Sequence, residues 1–239
     1  FFSGAKGLAY SPDGKRVATG GADSLVRVWE VETGEALLTL TGHTNTVNVV
    51  TYSPDGRWLV TADQDATIKV WDAASGRELW TLSGDPGAIG WAVFDGTGSR
   101  LVVSHFSGQV EVWEFPEGGG EDGVAPEIAL QFQHNGAGQT DFSPDGETLA
   151  VPEGRTSLHD AETGELLVNL GSSASSAAFS PDGLLLATAG IDGVVRLLAA
   201  DLDELLDVAE SRVTRTLTVE ECQRYLHMEA CPEPSASNQ

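Results

Sequence analysis

Five histidines are the side chains of this chain best suited to chemistry, because imidazole changes charge near neutral pH and also ligates metals. His43 is followed by Thr61, Asp65 and Trp71, and His159 stands directly before Asp160. A His beside an Asp is the pairing used in general acid–base catalysis. His105 and His134 fall in or near turn-forming sequence, with no Cys or carboxylate at a metal-ligand spacing from either. His227 lies between Cys222 and Cys231, too few ligands for a closed metal site. The glycines within residues 117–123 suggest a phosphate cradle, but no Lys-Ser/Thr follows and the stretch is itself acidic. No Gly-x-Ser-x-Gly nucleophile elbow occurs. On these grounds no catalytic residue, metal or cofactor is expected.

The elements that must position these residues form a repeat. An aromatic residue followed by Ser-Pro-Asp-Gly, or a degraded copy, starts at Tyr10, Tyr52, Phe94, Phe142 and Phe179. The separations are 42, 42, 48 and 37 residues, the signature of a repeat architecture. In the second repeat, Val47–Tyr52, Trp58–Ala62, Thr67–Trp71 and Glu78–Leu82 read as strands. The turns at Ser53-Pro54-Asp55-Gly56, Gln64-Asp65-Ala66 and Ala74-Ser75-Gly76-Arg77 separate them. Four short antiparallel strands per repeat make a sheet too small to bury both faces alone, so each must stack on its neighbours.

Gly42-His43, Thr61, Asp65 and Trp71-Asp72 resemble the signature of the WD-repeat (β-transducin-like) family. Thr19, Asp23 and Trp29-Glu30 repeat it in the first repeat, and the resemblance covers about residues 5–200. It implies an all-β fold, a β-propeller of four-stranded antiparallel blades. The five repeats would occupy residues 1–42, 43–84, 85–132, 133–170 and 171–200. It also implies that His43, Thr61, Asp65 and Trp71, with Thr19, Asp23 and Trp29 in the first blade, form structural hydrogen-bonded tetrads rather than catalytic groups. The five repeats read as part of a seven-bladed ring with about two repeats upstream; a stand-alone five-bladed ring is the alternative.

Later repeats depart from the pattern. The third keeps Trp113-Glu114, with Val103 at the Thr61 position, Ser107 at the Asp65 position and Asp85 near the His43 position. The fourth is shortened at Val151–Arg155 and has His159 in place of the Trp, so His159-Asp160 reads as a degraded Trp-Asp pair. The fifth keeps Thr188 and Asp192 but has Leu198 for the Trp. Trp80 and Trp91 lie inside expected strands and read as packing residues.

After residue 200 the apolar spacing turns helical over 201–209 and again over about 219–227, where Thr218 and Glu221 have capping-box spacing. The expected layout is a helical extension over 201–231 and a disordered tail over 232–239. This end is similar to the tail that closes propellers at the C-terminus of multidomain bacterial signalling proteins: kinases, STAND-type NTPases and transcriptional regulators. Such an effector domain is expected upstream, since the chain does not begin with Met. Cys222 and Cys231 form a small-loop disulfide or remain reduced thiols.

The net charge of −23, with only 13 Lys and Arg, argues against nucleic acid and anionic membranes as partners. Arg outnumbers Lys, a bias expected of a bacterial gene, and no signal peptide opens the chain, so a cytoplasmic location is expected. The expected function is a non-enzymatic scaffold that presents loops to a partner protein or peptide. A sensory or autoinhibitory module of an upstream kinase or NTPase is the alternative, and a propeller hydrolase the less favoured one. The residue before each turn Asp position gives the candidate contacts: Gln64, Phe106 and Ile191.

Overall fold

The computed structural model describes residues 4–83, 87–116, 124–134, 138–152, 156–171 and 174–200. These residues are strands and turns only, arranged as five small sheets. The first blade consists of β1 (Ala5–Tyr10), β2 (Arg16–Gly21), β3 (Val26–Glu30) and β4 (Ala36–Leu40). The second has β5 (Val47–Tyr52), β6 (Trp58–Asp63), β7 (Thr67–Asp72) and β8 (Glu78–Ser83), within one residue of the strands expected from sequence. The third has β9 (Ile89–Phe94), β10 (Arg100–His105), β11 (Gln109–Glu114) and β12 (Glu127–Gln133). The fourth has β13 (Asp141–Phe142), β14 (Thr148–Val151), β15 (Ser157–Asp160) and β16 (Leu166–Asn169).

Each of these sheets is antiparallel with its strands in sequence order. The fifth sheet departs from the four-strand expectation: among the described residues it has three strands, β17 (Ser176–Phe179), β18 (Leu185–Ala189) and β19 (Val195–Ala199). Both helices expected after residue 200, and both cysteines, lie outside the described residues. Among the described residues no helix is long and apolar enough to cross a membrane.

The Ser-Pro-Asp-Gly sequence builds the same turn in four blades. In the second, the Ser53 N–H donates to the Trp58 carbonyl and the Gly56 N–H donates to the Ser53 carbonyl, both at 2.9 Å. The Ser53 hydroxyl donates to Asp55 Oδ1 at 2.6 Å and accepts from the Trp58 N–H at 2.9 Å. Gly56 sits at φ +72°, where a side chain is strained. The equivalent bonds form around Ser11, Ser143 and Ser180.

The apolar cores lie between blades. One joins the first and second blades through Val26, Val28, Val50, Leu59 and Trp71. Another joins the second and third, where Phe115 packs 4.8 Å from Trp58 and 5.0 Å from Phe94. A third joins the third and fourth through Val102, Val112, Phe142 and Leu149. The first strand of each blade packs against the first strand of the next, from β1 onto β5 through to β13 onto β17. At the first of these contacts a Cβ on Gly20 would lie 2.6 Å from Val47 Cγ1, and one on Gly7 would lie 2.9 Å from the Asn48 carbonyl oxygen.

Candidate functional site

The turns between the second and third strands of each blade, and the loops entering each first strand, share one end of the sheets. We call this end the loop face. The Ser-Pro-Asp-Gly turns and the turns into the fourth strands form the opposite, turn face. Beneath the loop face each blade has a polar slot, and every histidine among the described residues lies in or beside one.

In the second blade the slot is complete. Trp71 Nε1 donates to Thr61 Oγ1 at 2.8 Å, and Thr61 Oγ1 lies 2.7 Å from His43 Nε2. His43 Nδ1 lies 3.0 Å from Asp63 Oδ2. A carboxylate can only accept, so Nδ1 carries the hydrogen and Nε2 accepts from the threonine hydroxyl. Burial pushes the imidazole below its ordinary value, against the pull of Asp63. The neutral ring fits this bonding pattern without an extra proton. The other oxygen, Asp63 Oδ1, accepts from the N–H groups of Asp65 at 3.0 Å and Thr67 at 3.1 Å, tying the slot to the turn above it.

This corrects the expected membership. The carboxylate bonded to His43 is Asp63, not Asp65. Asp65 is exposed and accepts from Asn45 Nδ2 at 3.0 Å. In the first blade Trp29 Nε1 donates to Thr19 Oγ1 at 2.9 Å. Asp23 does not join them: it pairs with Arg27 at 2.8 Å and accepts from the Leu25 N–H.

The next two slots use different chemistry. In the third blade the place of Thr61 is taken by Val103, and Trp113 Nε1 donates instead to Glu111 Oε2 at 3.0 Å. Glu111 Oε1 lies 3.5 Å from His105 Nε2, and both side chains are fully buried. His105 Nδ1 donates to the Gly87 carbonyl at 3.1 Å. His105 occupies the register of Asp63, and Glu111 that of Lys69.

In the fourth blade His159 Nδ1 donates to the Gly164 carbonyl at 3.0 Å. Its Nε2 therefore accepts from the Ser157 hydroxyl at 2.9 Å. Ser157 Oγ in turn accepts from His134 Nε2 at 3.0 Å. Burial lowers the pKa of His159, and the neighbouring His134 adds to the shift. Phe132 stacks on the His159 ring at 4.9 Å. In the fifth blade Leu198 replaces the tryptophan, and Thr188 Oγ1 is buried with no hydrogen-bond partner among the described residues.

A Ser–His contact and a His–carboxylate contact are thus present, but Ser157, His43, His105 and Glu111 are all buried. Their atoms are engaged in bonds within the slots. Among the described residues no group of three or more His, Cys, Asp or Glu is placed to hold a metal ion.

The side chains offered to solvent on the loop face are of another kind. Phe106 is 59% exposed and Ile191 81% exposed, and Gln64 is also exposed. Trp80 packs against the core between the second and third blades, as expected. Trp91 corrects its expectation: although inside β9, it is 38% exposed and meets Phe106 edge to face at 6.4 Å. Sequence reasoning also missed Asp63, the His105–Glu111 pair and the place of His134 in the fourth slot.

Comparison with known proteins follows the same repeats. The family model described as WD domain, G-beta repeat matches residues 3–30, 34–72 and 164–197. An uncharacterized WD repeat-containing protein from Nostoc sp. is 54% identical over 41 residues, which is 17% of this chain and 3% of that protein. A periodic tryptophan protein 2 homolog from Dictyostelium discoideum is 44% identical over 43 residues, 18% of this chain and 5% of that protein. The chain therefore spans a small fraction of the length of the relatives it matches.

Proposed function

This chain belongs to the WD-repeat family, and we propose that it acts as a non-enzymatic scaffold that docks a partner protein or peptide on its loop face. Domains of this family generally mediate protein–protein interaction. Gln64, Phe106 and Ile191 are the contact residues of this reading. One observation carries it. Among the described residues, His43, His105 and His159 and their slot partners are buried and internally bonded, while large apolar side chains stand exposed on the loops above them. An exposed aromatic held on a rigid sheet can anchor a partner at little cost in conformational entropy.

The test compares the chain with a Gln64→Ala/Phe106→Ser/Ile191→Ser variant in affinity capture and crosslinking from the source organism's lysate. Proteins bound by the first and lost by the second support the reading. An unchanged set of bound proteins, with the variant folded by circular dichroism, refutes it.

A further inference from the structure

Each apolar core between blades joins two different sheet faces. The earlier blade offers a forward face from its third strand: Val26 and Val28 in the first blade, Ile68 and Val70 in the second, Val110 and Val112 in the third. The later blade offers a rear face. It is built on the aromatic residue that ends the first strand and on a residue just past the third strand. These are Tyr52 and Ala73 in the second blade, Phe94 and Phe115 in the third, Phe142 and Ala161 in the fourth.

The rear face of the first blade is open. Leu8 and Tyr10 in β1 hold the registers of Val50 and Tyr52 in β5. Both are 61% exposed, against 7% for Val50 and 8% for Tyr52. The Val31 N–H donates to the Lys15 carbonyl as the Ala73 N–H does to that of Arg57. Val31 thus takes the place of Ala73, and it too is exposed where Ala73 is buried.

The forward face of the fifth blade is open as well. Arg196 pairs with Asp192 four residues before it, as Arg27 pairs with Asp23. That match sets Val195 and Leu197, on either side of Arg196, at the registers of Val26 and Val28. They are 70% and 69% exposed, whereas Val26 and Val28 are 0% exposed.

Two contiguous apolar sheet faces exposed to water call for a cover. The interior junctions show what fits: a forward face closes over a rear face. This chain carries one free face of each kind, and within the chain neither covers the other. Like-on-like pairing would set Leu197 against Leu197, a contact no pair of neighbouring blades makes. Head-to-tail pairing instead sets Val195 and Leu197 of one copy over Leu8 and Tyr10 of the next, continuing the junction already used between blades. We infer that a second copy of this chain docks head to tail, fifth blade onto first. The contact is heterologous, so each added copy leaves one free face of each kind until a ring closes. Each copy carries a net charge of −23, so charge opposes the contact, apolar burial drives it, and salt strengthens it by screening.

Sedimentation velocity of the full chain over a roughly hundredfold concentration range tests this. The mean mass should exceed that of one copy and rise with concentration, more so in high salt. Tyr10→Arg on the rear face and Leu197→Arg on the forward face should each weaken association about tenfold or more. Mixed in equal amounts, the two variants should form a one-to-one dimer and nothing larger, because one intact face of each kind remains between them. Circular dichroism checks their folding. Leu8→Arg and Val195→Arg repeat the test on the same two faces if either variant misfolds. A monomer at every concentration overturns the inference. So do assemblies that either variant leaves intact, that salt dissolves, or that the mixed variants fail to restore as a dimer. None of these variants alters Gln64, Phe106 or Ile191, so the scaffold reading stands or falls separately.

Discussion

Asp63 and Asp65 are the same residue type two positions apart, yet they differ in what they hold. Asp63 accepts from a buried imidazole and from two backbone N–H groups. Asp65 accepts from one exposed amide. Removing Asp63 strands His43 Nδ1–H and two turn donors, so Asp63→Ala is expected to cost about 3 kcal/mol, whereas Asp65→Ala should cost less than about 1 kcal/mol. Urea denaturation of the two variants checks this; equal losses would mean that Asp63 does not hold the slot. The sequence alone did not separate the pair, because alternation gives both residues the same parity and only the turn geometry distinguishes them. The third slot was better signposted. Val103 loses the hydroxyl at one register while Glu111, its direct partner on the adjacent strand, supplies a carboxylate where Lys69 stands in the blade before. Those two changes together signal a rewired acceptor for Trp113.

Strand positions were legible almost residue for residue in the second blade, because β-branched alternation and Ser-Pro-Asp-Gly turns act locally and in agreement. The spacing between blades was not, since it depends on contacts far apart in sequence. Gly20 is buried at such a contact, within reach of Val47. Gly20→Val would force β2 away from β5 and is expected to lower stability by about 1–3 kcal/mol. A calorimetric melt tests this, and an unchanged midpoint would show that the two blades can separate freely.

Asp141, at the start of β13, spans another such contact by accepting from the Phe179 N–H at 2.9 Å. Burial raises its pKa above 3.8, against the hydrogen bonds it accepts. A raised carboxylate contributes stability below its unfolded pKa and loses it as pH rises through the folded value. Asp141→Asn keeps an oxygen acceptor and removes the charge. It should raise Tm at pH 7 by about 2–4 °C and leave Tm near pH 3.5 unchanged. A variant that melts earlier at pH 7 would mean the ionised carboxylate is the stabilising form.

At the scale of the whole molecule two buried histidines make stability depend on pH just below neutrality. His43 and His159 both lie below their ordinary value of 6.5 because they are buried. The unfolded chain then binds more protons than the folded one below that pH, so their contribution is present above it and is lost as pH falls through the folded values. Lowering pH from 7 to 5 should reduce Tm, and a His43→Gln/His159→Gln variant, less stable at pH 7, should show a flatter dependence over the same window. Parallel melting curves for the two proteins would sink that assignment.

The differing slots also bear on how such a gene can change. Tandem repeats invite unequal exchange, which fuses the front of one repeat to the back of another and adds or deletes one period. Here such a fusion mismatches the donors and acceptors beneath the loop face. Joining β10 to β7 would place Trp71 Nε1 opposite Val103 with no hydroxyl to receive it, and His105 beside Lys69 rather than Glu111. Each blade is thereby keyed to its own strands, and repeat number and order are protected by the penalty of burying the wrong pair.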